Sequence, residues 1–297
     1  MSLLKKYYDA APSSPTGGGQ EEVVIDAHCH FWKYDKVTYD WIDKTMKPLQ
    51  QDYLPETMAL PLHRNNVQGV VAVQATQSEL ETHFLVELAH THPAIKGVVG
   101  WIDLQADNIA ERLQYFSQYP VIKGYRHVVQ GEPLDFLARE NFRRGVAALL
   151  PYNYTYDILI FHHQLQPAID FVKALSPDQR FVIDHCAKPD IRRKNIDEWK
   201  RLMKEIAQFP NVHCKLSGLF TEANWKEWSS KDFYPYLDVV FEAFGPDRLL
   251  FGSDWPVMLL SGSYVQWKSL LEKYMEGYSP DDRDKVFGTN AIHFYNL

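Results

Sequence analysis

Cysteine is scarce in this chain: Cys29, Cys186 and Cys214 are the three among 297 residues. Their number is odd, their spacing is wide and no C-x-x-C pair occurs. A disulfide framework or a structural zinc knuckle is therefore not expected, and a reducing, cytoplasmic setting fits best. Long apolar runs are missing as well. No stretch of about 18 apolar residues occurs, so no membrane-spanning helix is expected, and the N-terminal segment lacks the apolar core of a secretory signal. Nor is there an excess of positive charge. Lys and Arg total 31 against 38 Asp and Glu, a formal net charge of −7, the wrong sign for a dedicated nucleic-acid binder. Two glycine signatures are also absent. Without G-x-G-x-x-G after the first strand a dinucleotide-binding sheet is disfavoured, and without G-x-S-x-G a serine-hydrolase elbow is too.

What remains is a globular composition, 45% hydrophobic, 23% charged and unusually aromatic at 14%. Residues 1–20, with Pro12, Pro15 and Gly17-Gly18-Gly19, read as a flexible leader. From there short β-branched runs alternate with segments of three- to four-residue apolar spacing. The strand candidates are Val23–Ala27, Gly69–Gln74, Lys96–Ile102, Val121–Tyr125, Tyr156–Ile160, Arg180–Ile183, Val212–Leu216 and Arg248–Gly252. Helical spacing marks Glu79–His90, Ala106–Phe116, Pro133–Leu150, Gln166–Leu175, Ile196–Phe209, Tyr236–Phe244 and Tyr264–Tyr274. Strict alternation means parallel strands with helical crossovers. Eight strands favour a single α/β domain over residues 21–297, a (β/α)8 TIM barrel, over an open doubly wound sheet. Phe31–Pro55 reads as a long first loop rich in Trp and Tyr, on the face where barrel active sites lie.

Ionisable residues gather at the strand ends. The first strand closes with Asp26-Ala27-His28-Cys29-His30. Histidines two apart on a strand share a face, where they can hold a divalent metal or polarise a substrate oxygen. Asp26 shares that face by the same count, either to orient an imidazole or as a plain carboxylate of the core rim. Gly124-Tyr125-Arg126-His127 ends the fourth strand, Asp184-His185-Cys186-Ala187-Lys188 the sixth, and Ser253-Asp254-Trp255-Pro256 the eighth. Reactive groups from several strand C-termini are how a barrel assembles a site. Asp254, between an apolar strand and Trp255-Pro256, is expected to be desolvated, its pKa raised, and to act as base and then acid. His185, Arg126 and His127 join it as catalytic candidates, Arg126 by forking onto a carbonyl or hydroxyl pair. His28, His30, His185 and Asp254 are the ligand set if a metal is bound. Trp32, Lys188 and Trp255 are expected to touch substrate. Lys188 and Lys215 also read as salt-bridge residues, Cys29 and Cys186 as packing, and Asn290 as the cap of a final helix.

Taken together, DAHCHFW, GYRH, DHCAKP, KLSG, FGSDWP and GTNAIHFY resemble the amidohydrolase superfamily. Within it they are similar to the metal-dependent TIM-barrel hydrolases that include sugar-acid lactonases. The resemblance runs from residue 25 to 295. It implies that His28 and His30 are the first-strand pair, His185 the sixth-strand histidine and Asp254 the eighth-strand catalytic aspartate. The fourth strand departs from the fuller metal site, offering Arg126 and His127. The fifth ends without a ligand histidine unless His162 or His163 substitutes. A mononuclear divalent site, with zinc the natural ion, and a site needing no metal both stay open. The activity implied is hydrolysis of a neutral small-molecule lactone of the L-fucono or L-rhamnono type, by a monomer or a homo-oligomer. A metal-dependent decarboxylase of a small organic acid is the alternative, and a barrel that merely binds a sugar acid is a third.

Overall fold

The structure, a computed structural model, describes residues 23–297; the leader expected over residues 1–20 lies outside the described residues. The β-branched runs become strands β1 Ile25–Cys29, β2 Gly69–Val73, β3 Ile95–Gly100, β4 Ile122–Val128, β5 Thr155–Leu159, β6 Phe181–Ile183, β7 Val212–Leu216 and β8 Leu249–Phe251. They pair in parallel in chain order, β1 to β8. Closure is made just beyond β8. His30 N donates to Trp255 O at 2.7 Å and Asp254 N to His28 O at 2.8 Å, which stitches the ends of β1 and β8 together. The result is a single (β/α)8 barrel.

Alternation along each strand sorts side chains into two cores. Ile25, Ala27, Val71, Val73, Val99, Val182 and Leu250 fill the lumen, together with Phe294 and Tyr295 of the final helix Asn290–Tyr295. The opposite residues, Tyr125, Tyr156, Ile183, Cys214 and Phe251 among them, pack under the helices. Most expected helices form within a few residues of their expected ends. Pro133–Leu150 is instead broken into a short turn, Phe136–Ala138, and a helix, Glu140–Ala147. The helix expected from Tyr236 starts earlier, at Ser230, because Ser229 and Asp232 bond reciprocally across its first turn. The helix Pro55–Arg64, with proline at its first position, closes the aromatic first loop. Asn290 lies one residue inside its helix rather than at the cap. Its amide donates to Pro246 O at 2.6 Å and Leu249 O at 2.8 Å, anchoring the helix to β8.

One irregularity decides what β1 presents. Asp26 is opposite Val70 and Cys29 opposite Ala72, so β1 spends three residues where β2 spends two. This bulge changes the facing of the strand. Ala27 and His28 both turn inward, whereas Asp26 turns outward. The expectation that Asp26 orients an imidazole is thereby corrected. Its carboxylate accepts from Ser253 N at 2.8 Å, His28 N at 3.1 Å and Tyr264 Oη at 3.0 Å, which clamps β1 to the last strand and its following helix.

Burial pushes the Asp26 carboxyl up to about 6, against the downward pull of these hydrogen bonds. An acid raised on folding stabilises the fold while protonated in the native state. That contribution is full at pH values below the unfolded value near 3.8 and is lost as pH rises through about 6. An Asp26→Asn variant keeps the acceptor for both backbone N–H groups and carries no charge. Relative to wild type it should gain roughly 2 kcal/mol between pH 4 and pH 7. Denaturant titrations of both proteins across that range check it, and a difference that does not change with pH contradicts it.

Candidate active site

At the C-terminal mouth of the barrel the inward groups of β1, β4, β6 and β8 converge. His28 Nε2 lies 3.1 Å from His30 Nε2. Asp254 Oδ1 is 3.3 Å from His30 Nε2, 3.8 Å from His185 Nε2 and 3.9 Å from His28 Nε2. All four side chains are buried. Each histidine is oriented from behind. His30 Nδ1–H donates to Val73 O at 2.8 Å, so in the neutral ring the Nε2 lone pair faces the cluster. His185 Nδ1 is hydrogen-bonded to Ser217 Oγ at 2.9 Å. His28 Nδ1 has both a donor, Lys215 Nζ at 3.1 Å, and an acceptor, Asp184 Oδ1 at 3.3 Å, and can therefore hold its proton on either nitrogen. Burial drives the His28 and His185 pKa values well below the usual imidazole range, overriding nearby carboxylates. Both rings are neutral at physiological pH.

The backbone around His185 is unusual. His185, Cys186, Ala187 and Lys188 have successive φ values of 55°, 51°, 56° and 47°, a left-handed turn built from non-glycine residues, which costs free energy. It swings the His185 ring against β7, where there is room because residue 218 is glycine. A Cβ at Gly218, itself at φ 64°, would lie 2.5 Å from the His185 ring. The KLSG segment thus supplies a support for His185 (Ser217), a space for it (Gly218) and a buried cation (Lys215).

Beneath the cluster lies an ionic layer. Lys215 Nζ is 2.5 Å from Asp157 Oδ2 and 3.0 Å from Asp184 Oδ1. Arg126 Nη1 donates to Asp184 Oδ2 at 2.9 Å, and Tyr295 Oη donates to Asp157 Oδ2 at 2.7 Å. The second guanidinium amine of Arg126 donates to the Gln74 carbonyl. Burial alone would raise Asp184, but Lys215, His28 and Arg126 hold it well below the ordinary carboxylate range. For Asp157 burial wins over Lys215, and its pKa is raised. The salt-bridge reading of Lys215 is what the geometry gives.

Above the cluster opens a cavity of about 580 Å³, with His30, Arg126, His185 and Asp254 at its floor and Trp41 and Trp225 on its walls. Three buried polar atoms along it have no protein partner: Arg126 Nε, Gln130 Nε2 and Asp254 Oδ2. Buried polar groups are rarely left unpaired without a ligand to meet them. Burial also pushes Asp254 upward, but His185, His30 and Lys188 outweigh it, and the net shift is downward. This corrects the expected raised pKa: apolar strand neighbours matter less than the histidines facing the carboxylate.

Not every expected site residue reaches the cavity. His127 follows Arg126 on β4, so alternation turns it outward. Its ring stacks on Phe136 at 4.7 Å and its Nε2 lies 3.0 Å from Glu132. Trp32 is fully buried beneath the first loop, donating to Gln51 O at 2.9 Å, and Trp255 packs edge-on against Tyr53. Neither indole lines the cavity, because both are folded into the packing between the first loop and β8. Lys188 does line it, paired to Glu222 Oε1 at 3.2 Å. Asp184, Asp157, Ser217, Glu222 and Trp225 belong to the site or its support and were not anticipated.

The donor set suits a divalent ion. Three imidazoles and a carboxylate are ligands that zinc accepts, and tetrahedral zinc at ordinary bond lengths sets its ligand atoms about 3.3 Å apart. The spacings within His28, His30 and Asp254, 3.1, 3.3 and 3.9 Å, come near that requirement, and His185 Nε2 lies 3.8 Å from Asp254 Oδ1. His28, His30 and Asp254 form one compact group, and His28, Asp184 and His185 another. Equilibrium dialysis against zinc should therefore give about one ion per chain, with affinity lowered at least about a hundredfold in His30→Ala. Equal binding by the two proteins would remove the metal reading.

A barrel with an H-x-H pair on its first strand, a sixth-strand histidine and an eighth-strand aspartate gathered at its C-terminal mouth has the groups of a hydrolase whose site could hold a divalent metal. Residues 25–297 match the amidohydrolase family, and the chain belongs to it. It is 39% identical over 285 residues to the L-fucono-1,5-lactonase of Burkholderia multivorans, covering 92% of this chain and 96% of that one. The L-fucono-1,5-lactonase of Burkholderia ambifaria is 34% identical over 278 residues, covering 92% and 95%. Among solved structures, a Burkholderia multivorans amidohydrolase with bound zinc superposes with a TM-score of 0.90 at 38% identity, covering 93% of this chain and 99% of that one.

Proposed function

We propose that this chain is a hydrolase that opens a sugar-acid lactone, with an L-fucono-1,5-lactone the first substrate to try. The observation that carries the reading is the pairing, in one cavity, of an unpartnered buried acceptor, Asp254 Oδ2, with an unpartnered buried donor, Arg126 Nε. Hydrolysis needs both. Asp254, whose pKa lies below the ordinary carboxylate value, is ionised at working pH and takes a proton from water as the water oxygen attacks the ring carbonyl carbon. Arg126 and His185 meet the charge that develops on the carbonyl oxygen. The bond from that carbon to the ring oxygen then breaks, and Asp254 returns its proton to the leaving oxygen. Its depressed pKa makes it a weaker base but a readier donor in this second step. A divalent ion held by His28, His30 and Asp254 would keep a position open, and there would supply a more acidic water or a polarised carbonyl.

The charge of the cavity favours this over decarboxylation of an organic acid. Its lining carries two cations, Arg126 and Lys188, against the carboxylates of Asp40, Glu222 and Asp254. Each cation is paired, with Asp184 and Glu222, so the lining has no net positive charge to attract a carboxylate substrate, while its free donor hydrogens still serve a neutral lactone. A reducing, cytoplasmic setting suits the three buried, unpaired cysteines. Each opened ring yields an acid that releases a proton at neutral pH, so a pH-indicator assay over five- and six-membered aldonolactones tests the proposal. Absence of turnover above background on the whole panel, with folded protein and added zinc, would overturn it.

A further inference from the structure

One wall of the cavity carries an ion pair that takes no direct part in the proton transfers of hydrolysis. Lys188 and Glu222 come from the loops after β6 and β7 and face each other at 3.2 Å, with side chains four-fifths or more buried. Both are held in place. Lys188 closes the left-handed turn that positions His185, its N–H donating to His185 O at 2.8 Å. Glu222 ends the short helix Leu219–Glu222, and its carbonyl accepts from Arg192 N at 3.1 Å. Glu222 Oε1 is shared between Lys188 Nζ and Thr221 Oγ1, the latter at 3.3 Å, whereas no hydrogen bond reaches Oε2 from the described residues. Trp225 stands beside them on the same wall, its Nε1 donating to Thr221 O at 2.9 Å and its ring lining the cavity.

We infer that Lys188 and Glu222 together recognise two neighbouring hydroxyls of the lactone ring and so set substrate specificity. The proposal takes its substrate class from the lactonase reading. An acceptor oxygen and a spare ammonium hydrogen, side by side and mutually neutralised, match a diol: one hydroxyl donates to Glu222 Oε2 and the next accepts from Lys188 Nζ. A carboxylate ligand would be repelled by Glu222, and an ether or ketone has no hydrogen to give it. The Trp225 ring offers an apolar surface to the C–H face of the same sugar. Because Lys188 sits three residues from His185 on the same turn, and Glu222 four residues past Gly218, which makes room for the His185 ring, hydroxyl recognition and carbonyl placement share one frame.

The test uses an aldono-1,5-lactone, its 2-, 3- and 4-deoxy counterparts and the corresponding lactams, which bind without being hydrolysed. Glu222→Gln keeps the shape of the side chain, and Lys188→Met removes the donor independently; melting curves establish that each variant folds. On the parent lactone each should lose about 10- to 100-fold in kcat/KM, carried by KM. On the deoxy lactone missing the recognised hydroxyl, wild type and variant should agree within roughly threefold. Lactam affinities measured by calorimetry should repeat the pattern. An equal loss on the parent and every deoxy analogue would overturn the proposal and leave the lactonase reading standing. Lactam binding with the expected pattern but no lactone turnover would do the reverse. No lactam binding by wild type would overturn this inference whatever the turnover.

Discussion

Asp254→Asn is expected to lower kcat about a thousandfold on any lactone the enzyme opens, with much less change in KM, since removing a positioned proton carrier costs about 10²- to 10⁴-fold. The substitution is unusually clean. Asp254 sits at φ 59°, a left-handed position that asparagine tolerates nearly as well as aspartate. Its backbone donates to His28 O at 2.8 Å and accepts from Met258 N at 2.9 Å, and neither bond depends on the side chain. The barrel closure should survive, and the melting curve should remain cooperative. What is lost is a carboxylate whose pKa is shifted downward and which is therefore ionised at working pH. The same depressed pKa predicts that wild-type kcat/KM does not fall on this group's account between pH 7 and pH 5. If the variant keeps more than about a tenth of the wild-type kcat, Asp254 does not carry the proton. If wild type binds lactone without turnover and the variant alters only affinity, the barrel is a binder and not an enzyme.

How much of this was legible in the sequence depends on the kind of information each residue carries. The barrel was, because eight β-branched runs separated by helical spacing leave few alternatives. The reactive strand ends were too, since His28, His30, His185 and Asp254 each follow an apolar run. The facing of Asp26 was not. Counting by twos puts it with His28, and the three-against-two register with β2 that turns it outward leaves no mark in composition. His127 is different: it is adjacent to Arg126 on one strand, and strict alternation already forbids both from facing inward. Trp32 and Trp255 sit close in sequence to His30 and Asp254, yet they are packed away because the first loop bonds back on itself, Trp32 N to Tyr53 O at 2.8 Å. The aromatic walls come instead from Trp41, within the first loop, and Trp225, seven residues past the KLSG segment, whose facing only the folded loops decide. Glu222 was hidden for the same reason, as its meaning depends on Lys188, 34 residues away.

The ionic layer left a readable trace: one carboxylate, Asp157, in Thr155–Leu159 and one lysine, Lys215, in Val212–Leu216, each at an inward position of a barrel strand. Its removal should be costly. Lys215 Nζ is fully buried and within 3.1 Å of Asp157, Asp184 and His28, and Lys215→Met leaves two carboxylates with one remaining cation, Arg126, which reaches only Asp184. Breaking a buried pair by deleting one partner costs about 3–5 kcal/mol, and for a chain of this size that lowers the thermal midpoint by about 10 °C. The deficit has a pH signature. Asp157 is raised by burial even with Lys215 present, and without the cation it is raised further. An acid raised on folding favours the fold while protonated and loses that contribution as pH rises through its native pKa. The variant should therefore lie nearer to wild type at pH 5 than at pH 8. Adding Asp157→Asn removes the stranded charge while keeping an acceptor for Tyr295 Oη, now 2.7 Å from Asp157 Oδ2, and should recover roughly half of the loss. A Lys215→Met protein that melts within about 2 °C of wild type at pH 8 would show that the layer is not what holds the floor of the site together.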